Sequence, residues 1–185
     1  MAIYSINTSG QLIELKEQSF ASEDDFQRLV AQFPSLVEGE QITPANPRRW
    51  LLIDRELGIP SSEDTGNRWS IDHLVLDQDA IPTFFELKRA TDTRLRREVI
   101  GQLCEYAANA TVYWPLETIR AKFEARCDLE NKSADEELSQ FLMGAMEPSA
   151  FWEKAEENLR MGKIRMMIVA DYIPEELKRI VEFLN

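Results

Sequence analysis

With 185 residues, 44% of them hydrophobic and 29% charged, the chain can bury the core of one globular domain. Its first residues do not show the basic segment followed by an apolar segment that is typical of a secretion signal. The longest uninterrupted apolar run, 166–170, is too short to cross a bilayer. We therefore expect a cytoplasmic protein without a membrane partner. The net charge of −12 argues against general nucleic-acid binding, but residues 48–97 carry equal numbers of basic and acidic groups.

The first predicted elements are a hairpin and a helix. Residues 3–17 indicate a small hairpin that turns at 8–10. A helix is predicted to start at Ser22, because Ser22 followed by Asp25 resembles a capping box with Asp in place of Glu. An apolar stripe with helical spacing follows, and Pro34 ends the helix.

Three strands and a long helix are predicted next. Residues 50–57 favour a strand, and residues 69–76 and 83–88 favour two more, joined by a polar loop. The long helix runs from about 93 to 113. Gly101 within it suggests the close approach of another backbone, and Cys104 indicates a packing residue on the helix face.

The remainder of the chain predicts a helical insert, a strand and a helix. Residues 115–160 indicate mainly helical, acidic sequence with breaks near 131–133 and at Pro148-Ser149. Residues 164–170 favour a strand, and Pro174 is expected at the first position of the last helix.

The order of elements predicts an α/β fold with a mixed sheet. We expect a single domain over 1–185, with residues 1–18 as an N-terminal hairpin and 115–160 as an insert. Whether Asn185 is the native end or the chain is a fragment of a longer one stays open.

The hairpin of the second and third strands carries the candidate chemistry. If the loop is centred on Asp79, then Asp72 and Glu86 lie opposite each other, and Lys88 shares their face because strand side chains alternate. A one-residue slip in register would separate them. Opposed carboxylates destabilise a half-buried sheet face, and a divalent cation between them is the simplest reason to keep them there. With the ammonium of Lys88, such a site suits phosphodiester chemistry.

The long helix adds two weaker signals. Gln102 and Tyr106 lie on its buried face, where a glutamine needs hydrogen-bond partners such as a metal-bound water or a site carboxylate. Bonding to backbone at the edge of the stripe is the alternative. Four cations precede or begin the helix and could bind phosphate at its N-terminus, or could be solvated and paired with nearby acids: Arg89, Arg94, Arg96 and Arg97.

Five of these residues also form a family pattern: Asp72, then Glu86-x-Lys88, then Gln102-x-x-x-Tyr106. The pattern resembles the PD-(D/E)XK nuclease superfamily, in its RecB-type branch with a Gln-x-x-x-Tyr motif. The order of elements agrees with the αβββαβ core of that superfamily, although the motifs span only residues 72–106. A longer stretch around them also resembles a family of largely uncharacterised bacterial proteins with this core.

The resemblance implies a restriction-endonuclease-like fold and a nuclease acting on nucleic acid, DNA more than RNA. Asp72, Glu86 and the backbone carbonyl of Leu87 would ligate Mg²⁺ or Mn²⁺. Lys88 would orient or deprotonate the attacking water, and Gln102 would position the water or the lysine.

The superfamily often has a further acid on its first helix. Glu23 is the candidate ligand, although Asp24 and Asp25 compete with it and all three could cap the helix. Tyr106 would be structural. His73 alternates to the face opposite Asp72, so we interpret it as structural or surface.

A second function from another class stays open. The acidic segments at 1–47 and 128–160 are compatible with a catalytically silent nuclease-fold module that binds a protein or nucleic acid. A homodimer or larger assembly is compatible with either function.

Overall fold

The computed structural model describes residues 3–16, 18–60, 67–89 and 98–185. Six strands and six helices are assigned in this part of the chain, together with a short 3-10 turn at Pro34–Leu36. In chain order they are β1 (Ile3–Ile6), β2 (Leu12–Leu15), α1 (Glu23–Gln32), β3 (Trp50–Pro60), β4 (Asn67–Asp77), β5 (Pro82–Lys88), α2 (Glu98–Tyr113), α3 (Leu116–Leu129), α4 (Ala134–Leu142), α5 (Pro148–Arg160), β6 (Arg165–Ala170) and α6 (Glu175–Leu184).

A mixed four-stranded sheet forms the centre of the protein, in the order β3-β4-β5-β6. β3, β4 and β5 are antiparallel neighbours, whereas β6 pairs with β5 in parallel. A parallel pair needs a long crossover, and helices α2 to α5 provide it. The predicted α/β class with a mixed sheet is therefore confirmed.

The turn between β4 and β5 sets the register of the site. The pairs His73↔Phe85 and Val75↔Thr83 are centred on Asp79, as predicted. Within the turn, Asp77 Oδ1 accepts hydrogen bonds from the backbone N–H groups of Asp79 and Ile81, both at 2.9 Å. A carboxylate that binds the backbone two residues on is a common way to stabilise a turn.

Each face of the sheet packs against different helices. On one face, Phe84 of β5 belongs to a core shared with α2 to α5 and packs edge-on against Trp114. On the other face, Phe85 and Leu87 pack with Phe26 and Val30 of α1. Because side chains alternate, Glu86 and Lys88 lie on the face of Phe84, toward α2.

The start of α1 agrees with its predicted cap. Ser22 Oγ accepts a hydrogen bond from the backbone N–H of Asp25 at 3.0 Å. The helix begins at Glu23 and ends just before Phe33, next to Pro34. The first turn of α1 lies beside the carboxyl end of β5, where Glu23 is 3.4 Å from Lys88.

Four sequence-based expectations need correction. Cys104 is exposed rather than packed. A Cβ at Gly101 would meet nothing within 4 Å, so no other backbone among the described residues approaches it. Pro148 begins α5 rather than breaking a helix, since the gap lies before it, and Pro174 is the N-cap of α6 rather than its first helical residue.

The N-terminal hairpin is a separate two-stranded sheet. All eight of its strand residues are exposed, and six of them are large and apolar, with 44–73% of their surface accessible: Ile3, Tyr4, Ile6, Leu12, Ile13 and Leu15. A two-stranded hairpin is marginal in water by itself. The apolar residues on both of its faces therefore have little cover from the rest of the described chain.

Candidate active site

Lys88 lies at the centre of a group of three carboxylates from three different elements. Its Nζ is 2.8 Å from Glu86 Oε1, 3.4 Å from Glu23 Oε1 and 4.0 Å from Asp72 Oδ2. Glu86 precedes it on β5, Asp72 comes from β4 and Glu23 from the first turn of α1. The structure thus brings together the three residues of the predicted strand motif and the acid predicted on the first helix.

Glu86 is an unusual carboxylate because it is buried, with only 2% of its surface exposed. Lys88 satisfies Oε1, but Oε2 is buried and has no hydrogen-bond partner among the described residues. Burial raises the pKa of Glu86 above its ordinary value, the hydrogen bond and charge of Lys88 oppose the shift, and the charge of Glu23 adds to it. An oxygen in this state is ready to accept a cation or a proton.

Asp72 is held by two donors, one on each oxygen. Gln27 Nε2 donates to Oδ1 at 2.8 Å, and the backbone N–H of Leu87 donates to Oδ2 at 2.7 Å. Burial first, and then the charge of Glu86, raise the pKa of Asp72 to about 7, although the Leu87 N–H stabilises the ionised form. Repulsion between Asp72 and Glu86 was the basis of the sequence prediction.

The sheet is irregular where Asp72 sits. Regular pairing of β4 with β5 ends at His73, one residue short of a pair between Asp72 and Glu86. On the other side, the β3 register places Glu56 opposite Asp72, and Glu56 has a φ of 53°. Positive φ is uncommon for a residue with a side chain, so β3 is distorted at the level of the site.

The charge state of Lys88 follows from its neighbours. Burial alone would lower its pKa, but the hydrogen bond and charge of Glu86, followed by the charge of Asp72, outweigh burial and raise the pKa above its ordinary value. Lys88 is therefore an ammonium at neutral pH. It can donate hydrogen bonds to an anion but cannot act as a base in this state.

Gln102 and Tyr106 meet each other on α2. Gln102 Nε2 donates a short hydrogen bond to the Tyr106 hydroxyl. The hydroxyl thus takes one of the two amide N–H groups of Gln102, and the other stays available toward the cavity that Gln102 lines. Burial raises the pKa of Tyr106, so its hydroxyl stays protonated and can donate in turn.

These side chains surround one small cavity of about 240 Å³. Its lining is mostly polar, and half of its residues are acidic: Glu23, Ser70, Asp72, Glu86, Lys88, Glu98, Val99 and Gln102. A larger cavity of about 850 Å³ lies between α1, β3 and the α3–α4 region and contains none of the predicted site residues. We place the site in the smaller cavity because the convergent, perturbed carboxylates are there.

The remaining predicted residues are placed as follows. Leu87 lies between Glu86 and Lys88, with its side chain in the core of the opposite sheet face. Arg89 Nη1 donates to the backbone carbonyl of Ala21 at 3.2 Å, so this guanidinium already contacts its own chain. The other three predicted phosphate-binding residues lie outside the described residues: Arg94, Arg96 and Arg97.

Sequence reasoning missed Gln27 as a contact residue of the site, and it identified His73 only as structural or surface. Gln27 follows Glu23 by four residues, so both lie on one face of α1, and this spacing was the available signal. His73 Nε2 is 2.8 Å from the backbone carbonyl of Gln27, and burial lowers its pKa to about 4. His73 is therefore neutral and donates through Nε2, which confirms its structural interpretation.

Comparisons with known proteins do not assign the chain to a family. No family model matches it, and neither the curated proteins nor the solved structures contain a match. Within the described residues, no three or more His, Cys, Asp or Glu side chains form an arrangement that would itself mark a metal site. The helices in the same part of the chain are all too short or too polar to cross a membrane.

Proposed function

We propose that this protein is a Mg²⁺- or Mn²⁺-dependent nuclease of the PD-(D/E)XK type, with DNA a better candidate substrate than RNA. The observation that carries the proposal is the convergence of Asp72, Glu86 and Glu23 on the ammonium of Lys88. Three carboxylates and one ammonium in a small cavity match the ligands and the cationic group that phosphodiester cleavage needs.

The residues fit a divalent cation on two grounds. Glu86 Oε2 is a buried acceptor without a partner among the described residues. Burial raises the pKa values of Asp72 and Glu86, and a neighbouring carboxylate adds to each shift, Glu86 to that of Asp72 and Glu23 to that of Glu86. A nearby dication would relieve both conditions. Asp72, Glu86 and the carbonyl of Leu87 would hold it, with Glu23 as a further acid. When bound, it would polarise a phosphoryl oxygen and lower the pKa of a coordinated water.

The protein's own groups have separate tasks in this proposal. The Lys88 ammonium donates to the negative oxygens of the phosphate and stabilises the charge that grows during attack. Gln102, fixed by the Tyr106 hydroxyl, lines the cavity where the attacking water would lie. The acidic chain provides little long-range attraction for a polyanion, so binding should be weak and strongly salt-dependent.

A cleavage panel tests the proposal. Linear, circular and single-stranded DNA and RNA are incubated with Mn²⁺ or with chelator, using wild type, Glu86→Gln and Lys88→Ala. Lys122→Ala and Glu124→Gln are matched controls, since these residues lie on α3 and outside the cavity. We expect cleavage with Mn²⁺ by wild type and both controls only. Cleavage at the wild-type rate by the two site variants would refute the assignment and indicate a contaminating nuclease.

The exposed hairpin favours the second candidate function, a silent nuclease-fold module that docks another protein or a further copy of itself. Six accessible apolar side chains over β1 and β2 are typical of a surface that another molecule covers. Calorimetry separates the two functions. Binding of Mn²⁺ that is lost in Glu86→Gln supports the nuclease, whereas a folded wild type that ignores millimolar Mn²⁺ favours the module.

A further inference from the structure

Gln27 is a buried polar residue whose side chain reaches the candidate active site. It lies on the core-facing side of α1 with Phe26 and Val30, and only 6% of its surface is exposed. A buried amide left without partners destabilises the fold, because it loses the hydrogen bonds that it makes to water in the unfolded chain. Its Nε2 donates a hydrogen bond of 2.8 Å to Asp72 Oδ1, which lies 45 positions later in the sequence.

The carboxylate of Asp72 needs two donors to have one orientation. The torsion that rotates an aspartate carboxylate is broad, so a single hydrogen bond leaves its plane loosely defined. The backbone N–H of Leu87 fixes Oδ2 at 2.7 Å, and Gln27 fixes Oδ1. A neutral amide suits this position because it can donate without adding another negative charge.

The backbone of Gln27 is fixed by the same strand that carries Asp72. His73, the next residue of β4, has its Nε2 2.8 Å from the carbonyl oxygen of Gln27. The contacts therefore run from β4 to α1 and back to β4. One turn earlier on α1, Glu23 lies 3.4 Å from the Lys88 ammonium. The same helix face therefore contributes one acid of the site, Glu23, and orients a second one, Asp72.

We propose that Gln27 is a positioning residue that orients the Asp72 carboxylate for cation binding, a role that rests on the proposed function. Residues that orient a metal ligand change metal affinity or activity by about 10–100-fold when they are replaced. The loss should appear in kcat and in Mn²⁺ affinity, because Gln27 acts through Asp72. KM for nucleic acid should change little.

Two replacements and one matched control test this role. Gln27→Met keeps the length of the side chain and removes the donor, and Gln27→Glu keeps its shape but adds a charge beside Asp72. Gln32→Met is the control, at an exposed glutamine near the end of the same helix. Each protein is compared by kcat, KM, Mn²⁺ calorimetry and hydrogen exchange of the Leu87 amide measured by NMR.

We expect kcat and Mn²⁺ affinity to fall about 10–100-fold in Gln27→Met, and at least as far in Gln27→Glu, while Gln32→Met matches wild type. The Leu87 amide should exchange faster in both Gln27 variants, because its acceptor is no longer fixed. If Gln27→Met does not fold, the isosteric Gln27→Glu decides the result. Wild-type kcat in a folded Gln27 variant, or lost activity with unchanged Leu87 exchange, would overturn the role. A wild type that neither binds Mn²⁺ nor cleaves refutes the proposed function instead, and Leu87 exchange alone then decides whether Gln27 fixes Asp72.

Discussion

Replacing Asp72 by Asn should stabilise the metal-free protein at neutral and higher pH while abolishing cleavage. Burial and the charge of Glu86 raise the pKa of Asp72 from 3.8 to about 7. Because the folded-state pKa lies above that of the unfolded chain, ionisation of Asp72 opposes folding. The stability that the protonated form provides is complete below about pH 4 and is lost as the pH rises through about 7.

The size of the effect follows from two opposing contributions. A shift of about 3 pKa units corresponds to on the order of 4 kcal/mol of folding free energy at pH 8. Asn can keep both contacts, accepting from the Leu87 N–H and donating to Gln27 if the Gln27 amide flips. The raised pKa already includes the charge assistance of the Leu87 bond, so the remaining cost is that of pairing the Asn amide anew with Gln27, about 1–2 kcal/mol. The variant should therefore be more stable by about 2–3 kcal/mol at pH 8, or roughly 5–10 °C in Tm.

Urea unfolding in the presence of chelator, from pH 4 to pH 8, measures this difference. Titration of every other group is largely common to the two proteins, so subtracting wild type from Asp72→Asn isolates Asp72. The advantage of the variant should shrink as the pH falls and disappear or reverse near pH 4. A variant that is less stable by about 3–5 kcal/mol at every pH would refute the reasoning, because that is the behaviour of a broken structural network.

Three further measurements probe the same region. Mn²⁺ at a hundredfold excess over its Kd should stabilise wild type by about 2.7 kcal/mol and leave Asp72→Asn almost unchanged, as measured by differential scanning fluorimetry with reversal by chelator. Equal stabilisation of both proteins would mean that the metal binds elsewhere. Burial lowers the pKa of His73 from 6.5 to about 4, so the stability that it provides is present above pH 6.5 and lost as the pH falls toward 4, by about 3 kcal/mol. A His73→Gln variant should therefore show a flatter acid limb of unfolding free energy than wild type, and an identical limb would contradict this. Tyr106→Phe should lower the free energy of unfolding in urea by about 1 kcal/mol and slow cleavage, because Gln102 loses the hydroxyl that accepts its hydrogen bond. An unchanged cleavage rate would show that the orientation of Gln102 does not matter for cleavage.

Local patterns in the sequence were sufficient for the register of the β4–β5 hairpin. Alternation in β4 and β5, with turn residues between them, placed the centre of the hairpin at Asp79, and the Asp77 side chain bonds that stabilise the turn are themselves local. The Ser22 cap is equally local. Such features depend on residues a few positions apart, so a single sequence contains the information that fixes them.

Features that depend on packing between distant elements were not available in the same way. Gln27 looked like an ordinary residue beside an apolar stripe, because nothing near it in sequence indicates that Asp72 lies above it. Cys104 fitted the helical period but faces outward, since the direction of the core depends on where α2 docks. The partner of Gln102 is local, four residues away, but a glutamine on a buried stripe can bond to the backbone, to a metal-bound water or to a site carboxylate, and the sequence does not choose among these partners.

Charge balance connects the stability of the site with its proposed chemistry. Four carboxylates line the cavity, those of Glu23, Asp72, Glu86 and Glu98, and with the Lys88 ammonium they leave three negative charges when all are ionised; no other cationic side chain lines the cavity within the described chain. One divalent cation cancels two of these charges. Without it, the protein reduces the excess by taking up a proton, which is the physical meaning of a pKa near 7 at Asp72. Proton and metal are then alternative ways to neutralise the same pair of acids. Neutralising Asp72 should therefore stabilise the metal-free protein, and Mn²⁺ should stabilise wild type but hardly change the stability of the Asn variant.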